Sequence, residues 1–253
     1  MPYHRTSGVV LRCTDYSESS QVVAVLTPDL GQIHALAKGT RRPRRDGRGA
    51  LDLLNYCDLV LAQRPPGQLH ILAEWSLREM FPRLRAGLSR VWAACYAAEV
   101  ALVATSENPE DGVLCNELVD LLRRLDRSAA GGDRVESEHL ALFRYLLRAL
   151  RMLGTAPATE SCAQCGGRLE GLIRFSPASG GVLCGNCAAR DPQSFLISRG
   201  SLAVLNRLGA ANSAGAPLRV TADQVREIRR AFNEQIQYHL GRALKSERFL
   251  AEV

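Results

Sequence analysis

The period of the apolar residues changes once along this chain, near residue 80. From residue 6 to 75, short apolar runs alternate with turn residues, which is the pattern of an all-β module. Beyond Phe81 the apolar residues follow a helical period. The sequence therefore predicts an α+β protein, with a β domain at 1–80 and a helical domain at 81–253.

The β domain contains five apolar runs, which we expect to be strands. Pro28 and Gly31 predict a tight turn between the second and third runs, and Pro65, Pro66 and Gly67 predict another between the fourth and fifth. Five strands interrupted after the third favour a partly closed barrel of the oligonucleotide-binding type, and a small sandwich is the alternative. The predicted strands cover residues 6–13, 19–27, 31–39, 56–63 and 68–75.

The helical domain contains four long segments with a helical period and one insert without it. The last helix starts with Thr221 and Gln224 at the spacing of a capping box and stops at Gly241. The insert, residues 160–192, is rich in glycine and proline, so a bound metal would supply much of the free energy that orders it. The predicted helices cover residues 84–106, 109–127, 137–154 and 221–241.

Two Cys-x-x-Cys pairs lie in the insert: Cys162 with Cys165, and Cys184 with Cys187. Eighteen residues separate the pairs, which is the spacing of a zinc ribbon whose four thiolates form a tetrahedron. Four thiolates leave zinc no open position for water or substrate, so we expect one structural Zn²⁺ ion. Iron in the same cage and a redox dithiol are the alternatives, although redox chemistry needs only one pair.

The remaining four cysteines occur singly in apolar segments. In a reducing compartment such cysteines are more often small buried hydrophobes than disulfide partners. We therefore expect them in the core; they are Cys13, Cys57, Cys95 and Cys115.

One short stretch carries most of the net charge of +6. Residues 38–48 hold six cations against Asp46, a local charge of +5. Guanidinium groups pair bidentately with phosphate, and the glycines of the stretch would let it follow a nucleic-acid backbone. We therefore predict that this stretch contacts nucleic acid through Lys38, Arg41, Arg42, Arg44, Arg45 and Arg48.

A solvated arginine-rich loop is the alternative interpretation of this stretch, because arginine is abundant throughout and Lys38 and Lys245 are the only lysines. A second basic stripe on the last helix is interleaved with acidic residues, so we interpret it as a solvated face. Aromatic rings could stack on bases beside the basic stretch, although aromatics in a small barrel more often lie in the core. The candidate rings are those of Tyr3, Tyr16 and Tyr56.

The sequence contains no catalytic motif that we recognise. A phosphate-binding loop, a nucleophile elbow, a His-Glu-x-x-His zinc motif and the acidic cluster of a two-metal nuclease are all absent. We therefore expect a protein that is not an enzyme. No apolar run approaches the roughly 20 residues of a membrane span, and the first residues lack the apolar core of a signal peptide, so we expect a cytoplasmic location.

The order of these parts resembles the RecO family of bacterial recombination mediators. The most specific matching segments are "AKGTRRPRR" after the third strand and "YHLGRALKSERFL" near the end, and the paired cysteines match the zinc-bearing branch of the family. The resemblance implies an oligonucleotide-binding barrel and a factor of recombinational repair that is associated with the nucleoid. Lys38, Arg41 and Arg42 occupy the matching basic stretch.

The resemblance also implies the activities and partners of the family. Its members bind single- and double-stranded DNA, anneal complementary strands, associate with RecR, and help to load RecA onto strands coated by single-strand-binding protein. The competing hypothesis is a protein-only adaptor, in which the zinc ribbon and the helices form an interaction platform and the basic loop is only solubilising. A nuclease or ligase accessory has no catalytic residues to support it.

Overall fold

The alternating N-terminal segments close into a five-stranded barrel. The computed structural model describes residues 3–40, 51–65, 67–127, 135–210 and 218–250. Numbered in chain order, the five strands follow the order β1-β2-β3-β5-β4 around the barrel, and β4 pairs with β1 to close it. All neighbours are antiparallel except β3 and β5. The strands are β1 Tyr3–Asp15, β2 Ser20–Thr27, β3 Gly31–Lys38, β4 Tyr56–Ala62 and β5 His70–Glu79. The predicted oligonucleotide-binding type of barrel is confirmed, and the sandwich is wrong.

Strand β1 closes the barrel by pairing with two neighbours in turn. Its first half, from Tyr3 to Val9, pairs with β4, and its second half, from Val9 to Asp15, pairs with β2. The register shifts between Val10 and Arg12, which is where a bulge lets a long strand bend from one neighbour to the next. A long bent strand of this kind leaves the barrel without a free edge there.

Alternate side chains of the strands fill the barrel interior. In β3, Ile33, Ala35 and Ala37 are buried, whereas His34 is exposed and Leu36 is only half-buried. This period of two places one face of each strand against the core. Trp75 lies in this core. The other buried members are Val10, Val23, Val25, Leu51, Cys57, Leu59, Leu61 and Leu72.

The chain divides into two compact units, residues 1–129 and 130–253. The first unit contains the barrel and three helices, together with a 3₁₀ turn at Pro109–Asp111. The predicted domain boundary at residue 81 follows the change of secondary structure, and it stays a prediction. The helices of the first unit are α1 Pro82–Arg85, α2 Leu88–Ala104 and α3 Gly112–Arg127.

Two glycines let the turn between β2 and β3 approach the segment before α3. Gly31 has a φ of 71°, and a Cβ there would lie 2.2 Å from the carbonyl oxygen of Asn108. A Cβ on Gly112 would lie 2.0 Å from the carbonyl oxygen of Pro28. No side chain fits at either position, so glycine is required for this packing.

The second unit combines a three-helix cluster with a small sheet. The long helices α4 (Val135–Met152), α6 (Arg199–Gly209) and α7 (Ala222–Leu240) pack against one another. The rings of Phe143 and Phe232 contact each other with centroids 5.6 Å apart. The sheet has the order β7-β6-β8; two of its strands lie inside the insert, and the third follows directly after it. The elements are α4 Val135–Met152, β6 Arg174–Ser176, β7 Gly181–Leu183, α5 Gly185–Ala188, β8 Phe195–Leu196, α6 Arg199–Gly209, α7 Ala222–Leu240 and α8 Glu247–Leu250.

The ends of helix α7 confirm the prediction from sequence. The backbone N–H of Gln224 donates to the Thr221 hydroxyl at 3.3 Å, and the backbone N–H of Thr221 donates to Oε1 of Gln224 at 2.9 Å. Gly241 ends the helix with a φ of 67°, the left-handed conformation that glycine adopts most readily. Helix α6 and the small sheet, by contrast, were not expected from the sequence.

Replacing Gly31 by alanine should destabilise the protein much more than replacing Gly67. Both glycines have a positive φ, but a Cβ on Gly67 meets no atom within 4 Å. We expect Gly67→Ala to cost about 1 kcal/mol for the left-handed backbone alone. Gly31→Ala adds a collision with two carbonyl oxygens and should cost roughly 2–4 kcal/mol. Denaturant unfolding of both variants measures the difference, and equal losses would contradict the close approach described above.

Candidate nucleic-acid interface and metal centre

Lys38 is the one predicted nucleic-acid contact that the structure describes. It is exposed at the last position of β3, where it pairs with Ser20 at the first position of β2. The basic stretch therefore starts at a fixed end of the barrel. Its other predicted contacts lie outside the described residues; they are Arg41, Arg42, Arg44, Arg45 and Arg48.

Tyr16 lies at the same end of the barrel as Lys38. It is part of the turn between β1 and β2, where its backbone N–H donates to the carbonyl oxygen of Ser20 at 3.0 Å. Its side chain is 67% exposed. A ring available for stacking beside a cation that can meet phosphate is the combination found in sites for single-stranded nucleic acid.

The other two candidate tyrosines do not join this group. Tyr3 is exposed but starts β1, so it lies roughly 40 Å along the strand from its opposite end. Tyr56 is half-buried, and its hydroxyl is 2.8 Å from the Ser7 hydroxyl. The guanidinium of Arg78 covers its ring at 5.4 Å. Of the three, Tyr16 alone lies exposed at the barrel end where Lys38 starts the basic stretch.

A groove of about 760 Å³ on the barrel offers a different electrostatic surface. Its lining includes Asp29, Asp58 and Glu74 together with Arg5 and Arg78. Asp58 and Arg78 form an ion pair at 3.5 Å. Because three carboxylates outnumber two cations, this groove does not favour a polyanion.

The four cysteines predicted to bind metal come together in the second unit. Their four Sγ atoms all lie within 4.8 Å of one another, and those of Cys165 and Cys184 are 3.9 Å apart. A tetrahedral zinc ion with four thiolates at about 2.3 Å has sulfur–sulfur edges of roughly 3.8 Å. The cluster therefore has the composition and size of a Zn²⁺ site. Among the described residues, it is the only such group of metal-ligating side chains.

Local turns present the first pair of thiols. The backbone N–H of Gly166 donates to the carbonyl oxygen of Cys162 at 2.8 Å, and Gly166 has a φ of 69°. The backbone N–H of Cys162 donates to the carbonyl oxygen of Gly167 at 3.0 Å. These bonds fold residues 162–167 into a tight knuckle that turns both sulfurs to one side.

The second pair is presented by the start of a short helix. Cys184 follows β7 and is the N-cap of α5, and the backbone N–H of Ala188 donates to its carbonyl oxygen at 2.9 Å. Cys187 lies inside that helical turn. Leu183 and Ala188 pack beside Cys162, which is only 1% exposed. The second knuckle is thus fixed by the small sheet from which it emerges.

The thiols of the cluster differ in acidity. Burial opposes ionisation of Cys162, but backbone N–H groups of Cys184, Cys165 and Gln164 outweigh it and lower the pKa of its thiol to about 6. Desolvation and hydrogen bonds with the other three sulfurs raise the pKa of Cys187 to about 12. A thiolate in this cluster is therefore stabilised first at Cys162, and a metal ion would displace protons from the other sulfurs.

The single cysteines behave differently from the cluster. Burial raises the pKa of Cys57 and of Cys115 to about 12. The Cys115 thiol donates to the carbonyl oxygen of Leu26 at 3.2 Å. Both are buried, as expected for core residues, whereas Cys13 and Cys95 are half-buried. Thiols held neutral in this way are packing groups and not metal ligands.

Sequence reasoning missed the polar residues that hold the sheet beneath the metal cluster. Arg174 Nε donates to the Ser194 hydroxyl at 2.9 Å, and the Ser176 hydroxyl donates to the Asp191 carboxylate. The Ser194 hydroxyl in turn donates to the carbonyl oxygen of Asp191 at 2.6 Å. No spacing rule in the sequence links these residues, because their contacts arise only when the strands pair.

Comparison with known proteins covers both halves of the chain. Residues 1–81 match the family model described as Recombination protein O N terminal, and residues 85–248 match Recombination protein O C terminal. The chain belongs to the RecO family. As a RecO family member it has a role in DNA repair and recombination, and the family consists of DNA repair mediators and not of known enzymes.

Several similar proteins carry the name DNA repair protein RecO. The RecO of Anaeromyxobacter dehalogenans (strain 2CP-C) is 37% identical over 253 residues, which cover 98% of this chain and 96% of the relative. That of Pelotomaculum thermopropionicum is 32% identical, with 99% and 94% covered. That of Rhodopirellula baltica is 38% identical over 195 residues, with 76% and 68% covered. The resemblance to the RecO family predicted from sequence is confirmed, and membership of its zinc-bearing branch stays a prediction.

The RecO family assignment agrees with the rest of the described structure. A role in DNA repair implies interaction with DNA, which fits the cation and ring at one barrel end. No helix in the described part of the chain has the length and apolar character needed to span a membrane.

We expect this RecO family member, purified without added zinc, to contain about one zinc ion per chain. Cys165→Ser should remove most of that zinc, because a fourth thiolate is lost from the tetrahedron. Cys95→Ser is the matched control, since Cys95 is half-buried and lies outside the cluster, and it should retain the metal. Elemental analysis by mass spectrometry gives zinc and iron together. Folded native protein without metal would contradict the zinc assignment.

Proposed function

We propose that this chain is a DNA-binding recombination mediator that anneals complementary strands without catalysing a reaction. The proposal rests on one end of the barrel, where Lys38 and Tyr16 are both exposed and where Lys38 begins the arginine-rich stretch. Membership of the RecO family, matched in both halves of the chain, supports the same conclusion.

The proposed mechanism is neutralisation of phosphate charge. Two complementary strands repel each other through their backbones, and cations that replace the bound counterions lower this repulsion. Contacts to the backbone leave the base edges free to pair. They also allow one surface to accept single- and double-stranded DNA without reading the sequence. The residues proposed to make these contacts are Lys38, Arg41, Arg42, Arg44, Arg45 and Arg48.

Tyr16 would add a stacking contact to the phosphate contacts. An exposed ring can accept any base on its face, so stacking strengthens binding without specifying a sequence. It would act on single strands, whose bases are free to leave the stack. Duplex DNA would be held by the cations alone.

The metal centre is proposed to be structural. Cys162, Cys165, Cys184 and Cys187 would hold one Zn²⁺ ion with all four of its positions filled. Such an ion has no place for water or substrate, and its contribution is the folding of the insert. This role supports an activity that does not depend on catalysis.

The proposed partners follow from the RecO family. We propose association with RecR and assistance in loading RecA onto strands coated by single-strand-binding protein, at the nucleoid in the cytoplasm. An adaptor that binds only proteins remains the competing hypothesis. The adaptor differs from the mediator in one measurable respect: an adaptor does not retain DNA at moderate salt.

Neutralising the arginine-rich stretch should abolish most of the annealing. We expect the variant R41Q/R42Q/R44Q/R45Q to anneal fluorescent complementary oligonucleotides at least tenfold more slowly. The slope of log affinity against log salt for single strands should become shallower by up to about 3, for four lost phosphate contacts. Both quantities are measured by fluorescence across a salt series.

The matched control replaces four exposed arginines elsewhere in the first and second units: R83Q/R124Q/R127Q/R190Q. It removes the same charge and should behave like the native protein. If R41Q/R42Q/R44Q/R45Q keeps the native annealing rate and the native salt slope, the arginine-rich stretch does not contact DNA. Native protein that neither binds nor anneals DNA would instead favour the adaptor.

A further inference from the structure

A cavity of about 860 Å³ opens in the second unit, between helix α7 and the segment that follows it. Two carboxylates, Glu234 and Glu247, line the cavity. Five cations line it as well: Arg226, Arg229, Arg230, Lys245 and Arg248. The excess of positive charge is concentrated on a concave surface, and a concave surface can surround a ligand.

Helical spacing explains how α7 contributes to the cavity. Arg226, Arg229, Arg230 and Asn233 are related by three, four and seven residues, so they share one face of the helix. The opposite face is buried through Val225, Ile228, Ala231 and Phe232. The apolar stripe that packs α7 against its unit therefore also turns the arginines outward together.

The returning chain adds the remaining cations. Gly241 reverses the chain direction at the end of α7. Leu244 and Ser246 are then buried, which leaves Lys245 between them exposed. Asn233 donates to the carboxylate of Glu247 at 3.0 Å and ties the segment to the helix. The cavity is thus built from two anchored walls.

The carboxylates near the cavity compensate its charge only in part. Asp223 pairs with Arg226, and Arg230 Nε lies 3.9 Å from Glu234. Burial lowers the pKa of Arg229, the neighbouring charge of Arg226 lowers it further, and the carboxylate of Glu247 opposes this shift without cancelling it. Cations that lie this close repel one another, and an anion that enters the cavity stabilises them.

Two of the guanidinium groups are held by aromatic rings. The guanidinium carbon of Arg230 lies 4.1 Å from the ring centre of Phe195, and that of Arg248 lies 4.6 Å from the ring centre of Phe249. Stacking of this kind restrains the planar group while its N–H donors stay at the edge. Restrained donors lose less conformational entropy when they bind a phosphate.

We propose that this cavity binds the phosphate backbone of a second DNA strand, separately from the arginine-rich stretch after β3. The proposal rests on the proposed function, since annealing requires that two strands be held together. The lining favours a nucleic acid over an acidic peptide, because its apolar part consists of Ala243 and the buried Leu244. Peptide recognition usually depends on larger apolar or aromatic anchors.

The test counts the strands bound by each full-length chain. Fluorescein-labelled thymidine strands of about 15 nucleotides are short enough to occupy one site each. Stoichiometric titration at low salt, followed by anisotropy, should give two strands per native chain. The variant R226Q/K245Q/R248Q should bind one strand and anneal complementary oligonucleotides at least tenfold more slowly. These three side chains are exposed, so glutamine should leave the fold intact.

Three further proteins make the result specific. The control R83Q/R124Q/R190Q removes the same charge from exposed sites and should still bind two strands. The variant R41Q/R42Q/R44Q/R45Q should bind one strand, and the combination of both sets should bind none. Circular dichroism melting establishes that each variant is folded.

The outcomes separate this proposal from the proposed function. A cavity variant that binds two strands and anneals at the native rate, or native protein that binds one strand, overturns the second site and leaves the mediator function standing. Native protein without any DNA binding overturns the function itself. A labelled seven-glutamate peptide that binds the native cavity and is lost in the cavity variant, while DNA binding is unchanged, overturns the nucleic-acid assignment in favour of an acidic peptide.

Discussion

Closure of the barrel is the constraint on which the N-terminal half of the structure depends. Strand β1 must pair with both β2 and β4, and β3 must pair in parallel with β5. Once these ladders form, the turn after β1 and the end of β3 meet at one rim. Tyr16 and Lys38 lie at the same end of the barrel for that reason, since the backbone of each is next to Ser20. A short backbone ladder thus determines where Lys38, the first residue of the basic stretch, is exposed.

In the insert of the second unit, polar contacts and thiols provide much of the stability that a large apolar core provides elsewhere. The insert is too poor in apolar residues to bury much surface, so its order depends on knuckle turns, the small sheet and four clustered sulfurs. The helices around α7 have an ordinary apolar packing face. Because that face is buried, Arg226, Arg229 and Arg230 lie on the opposite, polar side of α7. Residues 243–248 complete a concave basic surface with them.

Much of the fold and of the candidate sites could be predicted from residue order. The period of two predicted the barrel strands, the cysteine spacing predicted the thiol cluster, and the capping box and Gly241 predicted the two ends of α7. Helix α6 and the small sheet were not predicted. The strands of the sheet have only two or three residues, which is too few for a period to show. The stripe of Arg226, Arg229 and Arg230 was visible in the sequence, but it was interpreted only as a solvated face.

The sequence by itself determined the five strands of the barrel, four of the long helices and the chemistry of the sulfur site, because period, turn residues and ligand spacing are local properties of the chain. Only the tertiary structure decided which distant residues meet. It placed Tyr16 and Lys38 at one end of the barrel, put Tyr3 at the other end of β1, and brought Lys245 and Arg226 to the same cavity. These contacts depend on strand register and chain reversal, and such long-range pairings are fixed by packing of the whole unit.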